Sequence, residues 1–188
     1  MAKGFAEIDS LCRDIVRDAA KGIFKPVYLL MGDEPYYVDM VCDAILEHCL
    51  DESERDFNQT VCYGADVDAD TVVTAARRYP MFADRQLVVV KEAQMMKSLE
   101  ELALYCAKPL DSTVLVIAMH GARADKRKSL YKNAAKAGVV VDSSQLRDYE
   151  MPRWISMYYQ NRGMKISPDA AALLGEYAGT DLNKIAIE

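Results

Sequence analysis

Residues 27–46 read VYLLMGDEPYYVDMVCDAIL, and the fold turns on how they are understood. An apolar run from Val27 to Met31 meets Gly32. Beyond Pro35, the apolar positions Val38, Val41, Cys42, Ile45, Leu46 and Cys49 recur at helical intervals. A buried strand passing through glycine into an amphipathic helix is the setting of a phosphate-binding loop. The residues that would hold phosphate are absent. A G-x-x-x-x-G-K-[ST] loop begun at Gly32 needs glycine, lysine and a hydroxyl where this chain has Tyr37, Val38 and Asp39. Asp33 and Glu34 would instead repel phosphate, at about 1–4 kcal/mol for like charges about 4 Å apart. Pro35 has no N–H to donate.

Outward from this stretch, four further apolar runs stand out: FNQTVCYG (57–64), QLVVVK (86–91), TVLVIAM (113–119) and GVVVDSS (138–144). Three of the five runs are nearly continuous in β-branched residues or Leu, which fits strands buried on both faces. Helical patterns separate them. Val72, Ala75, Ala76 and Tyr79 share one face, with Pro80 ending that helix or starting a new turn. Met96, Leu99, Leu102, Ala103 and Cys106 form the next stripe. Leu130, Ala134 and Ala137 lie in DKRKSLYKNAAKAG (125–138), which stops at Gly138. Strands alternating with helices predict an α/β fold with a five-stranded parallel sheet and right-handed crossovers.

The pattern changes after Gln145. EMPRWISMYYQNRG (150–163), SPDAAALLGEYAG (167–179) and TDLNKIAIE (180–188) read as helices only, the second with Ser167 as cap and Pro168 at its first position. We therefore expect an α/β domain over 1–147 and a small all-helical domain over 148–188. The last helix reaches Glu188 with its apolar face (Leu182, Ile185, Ala186) still running, so the natural chain is expected to continue.

Composition narrows the function. Of 188 residues, 51% are hydrophobic and 28% charged, an ordinary globular balance, and the formal charge is −6. An acidic chain lacks the counterion-displacing surface of a protein that binds duplex DNA by itself. The five cysteines, Cys12, Cys42, Cys49, Cys62 and Cys106, are widely spaced with no C-x-x-C pair, and His48 and His120 add no ligand spacing. Small buried hydrophobes in a reducing compartment are the expectation, without metal. The amino terminus is not a signal peptide, and no run approaches a membrane span, so a cytoplasmic protein is expected.

The second nucleotide element is altered as well. Where a P-loop ATPase has a metal-holding Asp after its strand, QLVVVKEA puts Lys91, followed by Glu92. Neither ATP hydrolysis nor a bound cofactor is expected; the alternative is a divergent P-loop NTPase with an unconventional loop.

Between Pro80 and Gln86 lies PMFADR. Adjacent Met81 and Phe82 point about 100° apart in a helical turn and to opposite faces in extended chain, so they do not share one narrow core stripe. One reading tucks them under the sheet edge. The other makes them an exposed apolar plug, set on the rigid end of a helix by Pro80, that enters a partner's pocket. Lys126, Arg127, Lys128 and Lys132 form a basic face, read as solvated or else as a weak contact to DNA or a neighbouring subunit. Trp154, with Met151, Ile155, Tyr158 and Tyr159, reads as helical-domain core.

KPVYLLMGDEPYYVD (25–39), RRYPMFADRQLVVVKEA (77–93), ADKRKSLYKNAAKAG (124–138), YEMPRWISMYYQNRGMKISPDAAALL (149–174) and GTDLN (179–183), taken in order, resemble the delta subunit of the bacterial DNA polymerase III clamp loader. The resemblance implies an AAA+ type, P-loop-like domain with a degenerate nucleotide site, then a helical lid domain, present here in part, and a collar domain outside these residues. It implies a non-catalytic subunit of a nucleotidyltransferase holoenzyme. Its expected partners are the sliding clamp (the beta subunit), other loader subunits through the collar, and primed DNA only within the assembly. It also shifts PMFADR to the plug reading, with Met81, Phe82 and Pro80 as the clamp-binding residues. No catalytic residue is carried over.

Overall fold

The computed structural model describes residues 4–187. Helix α1 (Phe5–Ala19) leads into β1 (Val27–Gly32), α2 (Pro35–His48), α3 (Glu52–Asn58) and β2 (Gln59–Tyr63). Helix α4 (Ala69–Ala76), β3 (Gln86–Lys91), α5 (Ala103–Ala107), β4 (Thr113–Ala118), α6 (Ser129–Ala137) and β5 (Val139–Ser143) complete the alternating part. Helices α7 (Met151–Asn161), α8 (Pro168–Ala178) and α9 (Leu182–Ile187) follow. All strand pairs are parallel and the order is β2-β3-β4-β1-β5, an AAA+-like α/β sheet as expected.

Alternation along each central strand splits the core into two layers. Tyr28, Leu30, Leu87, Val89, Val114 and Val116 face α1, α2 and the C-terminal helices. Leu29, Met31, Val88, Val90, Leu115 and Ile117 face α4, α5 and α6. Cys42, Cys49 and Cys106 are buried in these layers, and burial pushes their thiols up to about 11, 12 and 12. They are packing residues with no thiolate character near neutral pH.

Local departures from the sequence reading have identifiable causes. The expected strand at 57–64 is shortened because α3 occupies residues 52–58. A reciprocal cap starts that helix, Asp51 N–H donating to Glu54 Oε2 at 3.0 Å. Phe57 is therefore helical and exposed rather than in the sheet. The helix expected near 95–107 is broken into 3₁₀ turns at Ala93–Met95 and Leu99–Leu102 before α5, although Met96, Leu102, Ala103 and Cys106 are buried as the stripe required. Helix α4 stops at Ala76, so Tyr79 leaves the expected apolar face and is exposed; the residue before a proline is disfavoured in helix. Helix α6 starts at Ser129, which leaves Lys126 and Arg127 in the preceding turn.

The last three helices lie as predicted. Ser167 Oγ accepts Ala170 N–H at 3.2 Å, and Gly163 and Gly179 take positive φ beyond α7 and α8. Trp154 is fully buried, donates Nε1–H to Tyr37 Oη at 2.8 Å, meets Tyr36 edge-on and stacks on Tyr158. Residues 151–185 thereby continue the layer that covers α1 and α2.

Candidate functional site

Two places follow from the sequence: the position a phosphate would take beyond β1, and the segment around Met81 and Phe82.

Only Asp33 and Glu34 separate β1 from α2, too few to wrap an anion. The backbone donors that a phosphate loop turns toward its ligand are already committed. Gly32 N–H bonds Ala122 O and Asp33 N–H bonds Ser143 O, each at 3.0 Å. Gly32 sits at φ +132 with Ser143 O only 1.9 Å from where a Cβ would be, so the β5 backbone fills the space. Arg123 seals the outside, donating to Asp33 (2.7 Å), Asp142 (2.7 Å) and Ser143 O (2.8 Å). At the start of α2, Glu34 is 2% exposed and its carboxyl accepts Tyr36 N–H at 3.1 Å. The protein thus places its own carboxyl group at the helix N-terminus. Burial, with a smaller contribution from Asp181, raises that carboxyl to about 7.

At the far side of the crevice, Lys91 ends β3 half-buried and Glu92 adopts a left-handed backbone at φ +49. His120 Nε2 lies 2.8 Å from Asp39 Oδ1, a half-buried pairing with no ligand geometry around it. Among the described residues no group of three or more His, Cys, Asp or Glu converges as a metal site.

The second place is built differently. Residues 77–85 form an irregular loop between α4 and β3, so Met81 and Phe82 sit on a loop rather than on the end of a helix. Met81 is 52% exposed and Phe82 98% exposed. Phe82 also has a left-handed backbone, φ +56. A bulky residue there is disfavoured by roughly 1–2 kcal/mol, and glycine or asparagine would fit better. The fold gains nothing from the Phe82 ring, which touches almost nothing, so stability does not account for phenylalanine in this conformation.

Buried polar side chains hold the loop. Gln86 Nε2–H bonds Ala76 O at 3.1 Å and also Arg78 O and Thr113 Oγ1; Thr113 Oγ1 in turn donates to Ala76 O at 2.8 Å. The carbonyls left open where α4 stops are satisfied this way. At the tip, Asn58 Oδ1 accepts Met81 N–H at 2.6 Å and Asn58 Nδ2 donates to Met81 O at 2.9 Å. On the return arm, Arg85 donates to Gly22 O at 3.0 Å and lies 5.0 Å over the Phe24 ring. The result is an apolar tip on a braced loop at the edge of the sheet, beside edge strand β2.

Asn58, Gln86, Thr113 and Arg123 escaped the sequence reading. A polar residue at the end of an apolar strand (Gln86, Thr113) was the available signal; nothing local pointed to Asn58. Of the basic face, Lys126 is paired with Asp142 at 2.6 Å and Arg127 with Asp125 at 2.9 Å, leaving Lys128 and Lys132 exposed. No helix among the described residues is long and apolar enough to cross a membrane.

Residues 28–144 match the family model described as DNA polymerase III, delta subunit. The DNA polymerase III subunit delta of Bacillus subtilis (strain 168) is 26% identical over 147 residues, 73% of this chain and 42% of that protein. A solved Bacillus subtilis DNA clamp loader delta protein superposes with a TM-score of 0.73 at 25% identity, over 87% of this chain and 51% of that one. A weaker likeness, TM-score 0.47 at 13% identity, covers 92% of this chain and 56% of the Thermotoga maritima RuvB Holliday junction branch migration motor. The chain spans about two fifths of the curated relative and about half of the solved delta protein.

Proposed function

The chain belongs to the DNA polymerase III delta-subunit family, and from that premise we propose that it binds the sliding clamp through Met81 and Phe82 and helps to open it during loading onto primed DNA. The observation that carries this reading is the Phe82 ring, 98% exposed on a strained backbone that internal packing does not explain. Pro80 leads into the tip and fixes its own φ just before Met81. Removing the Phe82 ring and the exposed half of Met81 from water contributes about 2–5 kcal/mol before the cost of association. A clamp whose pocket is better formed when one ring interface is open would be shifted toward that state by the difference in affinity, and by no more.

In this reading the chain performs no ATP hydrolysis. Support comes from the two-residue β1–α2 connection, the committed Gly32 and Asp33 N–H groups, and Glu34 at the head of α2. Nucleotide chemistry falls to neighbouring loader subunits, reached mainly through the collar domain. Residues 1–147 are the AAA+ body and 148–188 the lid, the protein is cytoplasmic, and primed DNA is met only within the assembly. The alternative, a divergent P-loop NTPase, requires tight Mg-ATP binding by this chain, which calorimetric titration would show.

The deciding experiment is capture of the cognate sliding clamp by the wild-type protein and by the Met81→Ala/Phe82→Ala variant. Binding by the first and at least a tenfold loss in the second is expected. Equal capture by both would remove the plug.

A further inference from the structure

We propose that Asn58 is the positioning residue of the clamp-binding tip: it never touches the partner, and it sets the conformation in which Phe82 is presented. This rests on the plug reading above and deepens it. Asn58 closes α3, is 4% exposed, and faces the loop 23 residues further along the chain. Its side-chain amide matches both backbone groups of Met81, accepting N–H at 2.6 Å and returning a donor to the carbonyl at 2.9 Å. The N–H belongs to the peptide linking Pro80 to Met81, and the carbonyl to the peptide linking Met81 to Phe82. Holding both fixes the plane of each peptide flanking Met81, and with them the direction in which Phe82 leaves.

The second amide hydrogen of Asn58 goes to Glu54 O at 3.1 Å, which ties the bracket to the end of α3 rather than leaving it on a free side chain. Phe82 itself cannot supply the constraint. Its ring is 98% exposed, and its left-handed φ of +56 is one that an unrestrained phenylalanine leaves readily. The Arg85 contact with Gly22 O and the Gln86 bonds to Ala76 and Arg78 anchor the base and return arm but reach neither peptide of Met81. Without Asn58 the tip exchanges among several conformations, and affinity falls by the fraction of time spent in the competent one.

The test combines amide hydrogen exchange with clamp affinity by surface plasmon resonance for wild type, Asn58→Ala, Asn58→Asp and Phe82→Ala. Asn58→Asp keeps the acceptor for Met81 N–H and loses both donated bonds. We expect Met81 N–H to be protected in wild type, to persist in part in Asn58→Asp, and to exchange freely in Asn58→Ala. The β3 amides stay protected throughout. Clamp affinity should fall about tenfold in Asn58→Ala, with Asn58→Asp between it and wild type. Wild-type affinity in Asn58→Ala alongside a loss in Phe82→Ala overturns the positioning role and leaves the plug standing. Wild-type affinity in Phe82→Ala overturns both. A loss in Asn58→Ala that tracks lost β3 protection assigns Asn58 to general stability instead; should that variant not fold, wild-type affinity in Asn58→Asp despite an unprotected Met81 amide refutes the proposal.

Discussion

Replacing Glu34 by Gln should stabilise this fold at pH 8 and change little at pH 5. Glu34 is 2% exposed and accepts one hydrogen bond, from Tyr36 N–H, and burial lifts its carboxyl from the ordinary 4.5 to about 7. Because the folded value lies above the unfolded one, the folded state prefers the neutral acid. The stability associated with that acid is fully present below pH 4.5 and is lost as pH rises through about 7. The gap between the two values corresponds to about 3 kcal/mol. The ionised form recovers part of it, about 0.3–1 kcal/mol, from the N-terminal dipole of α2. Gln keeps an acceptor for Tyr36 N–H and never ionises, so Glu34→Gln should gain about 2–3 kcal/mol over wild type at pH 8. For a chain of this size that is roughly 5–10 °C in Tm. Urea unfolding of both proteins between pH 5 and 8.5 isolates the site, since other titrating groups cancel in the difference. Parallel stability profiles with a pH-independent offset would refute the burial argument. A variant less stable than wild type at pH 8 would mean that the ionised carboxylate anchors α2.

Other consequences can be measured in the same way. Phe82→Ala should leave stability within about 0.5 kcal/mol of wild type, because a 98% exposed ring contributes no packing, and a Tm drop of several degrees would place the ring in the core. Gly138→Ala should destabilise by about 3 kcal/mol or more in urea melts, since its Cβ would lie 1.8 Å from Val27 O across the β1–β5 junction. Trp154→Phe should lose about 1–3 kcal/mol by removing the bond to Tyr37 Oη and leaving space in the aromatic cluster. In wild type this single tryptophan should emit at short wavelength and shift red only on unfolding. Arg123→Ala opens the exposed network with Asp33 and Asp142 but should create no measurable Mg-ATP affinity by calorimetry, because Ser143 O and Glu34 still occupy the phosphate position.

Local pattern was enough for much of this protein. Strands β1 and β3 lie where their unbroken apolar runs placed them, and Ser167 with Pro168 started α8, because side-chain period, capping and proline sterics act over a few residues. The lack of a phosphate loop was equally legible, since the motif is a local string and Asp33, Glu34 and Pro35 contradict it. Tertiary structure decided the rest. Whether Met81 and Phe82 lay under the sheet or outside it could not be read from PMFADR, because exposure depends on what packs over a residue. The pairs that shape both sites, Asn58 with Met81 and Ser143 with Glu34, join residues 23 and 109 positions apart. They meet only because the strands stack in the order β2-β3-β4-β1-β5. Strand order is settled by the joint burial of both sheet faces, a cooperative property of the whole chain that no single segment encodes.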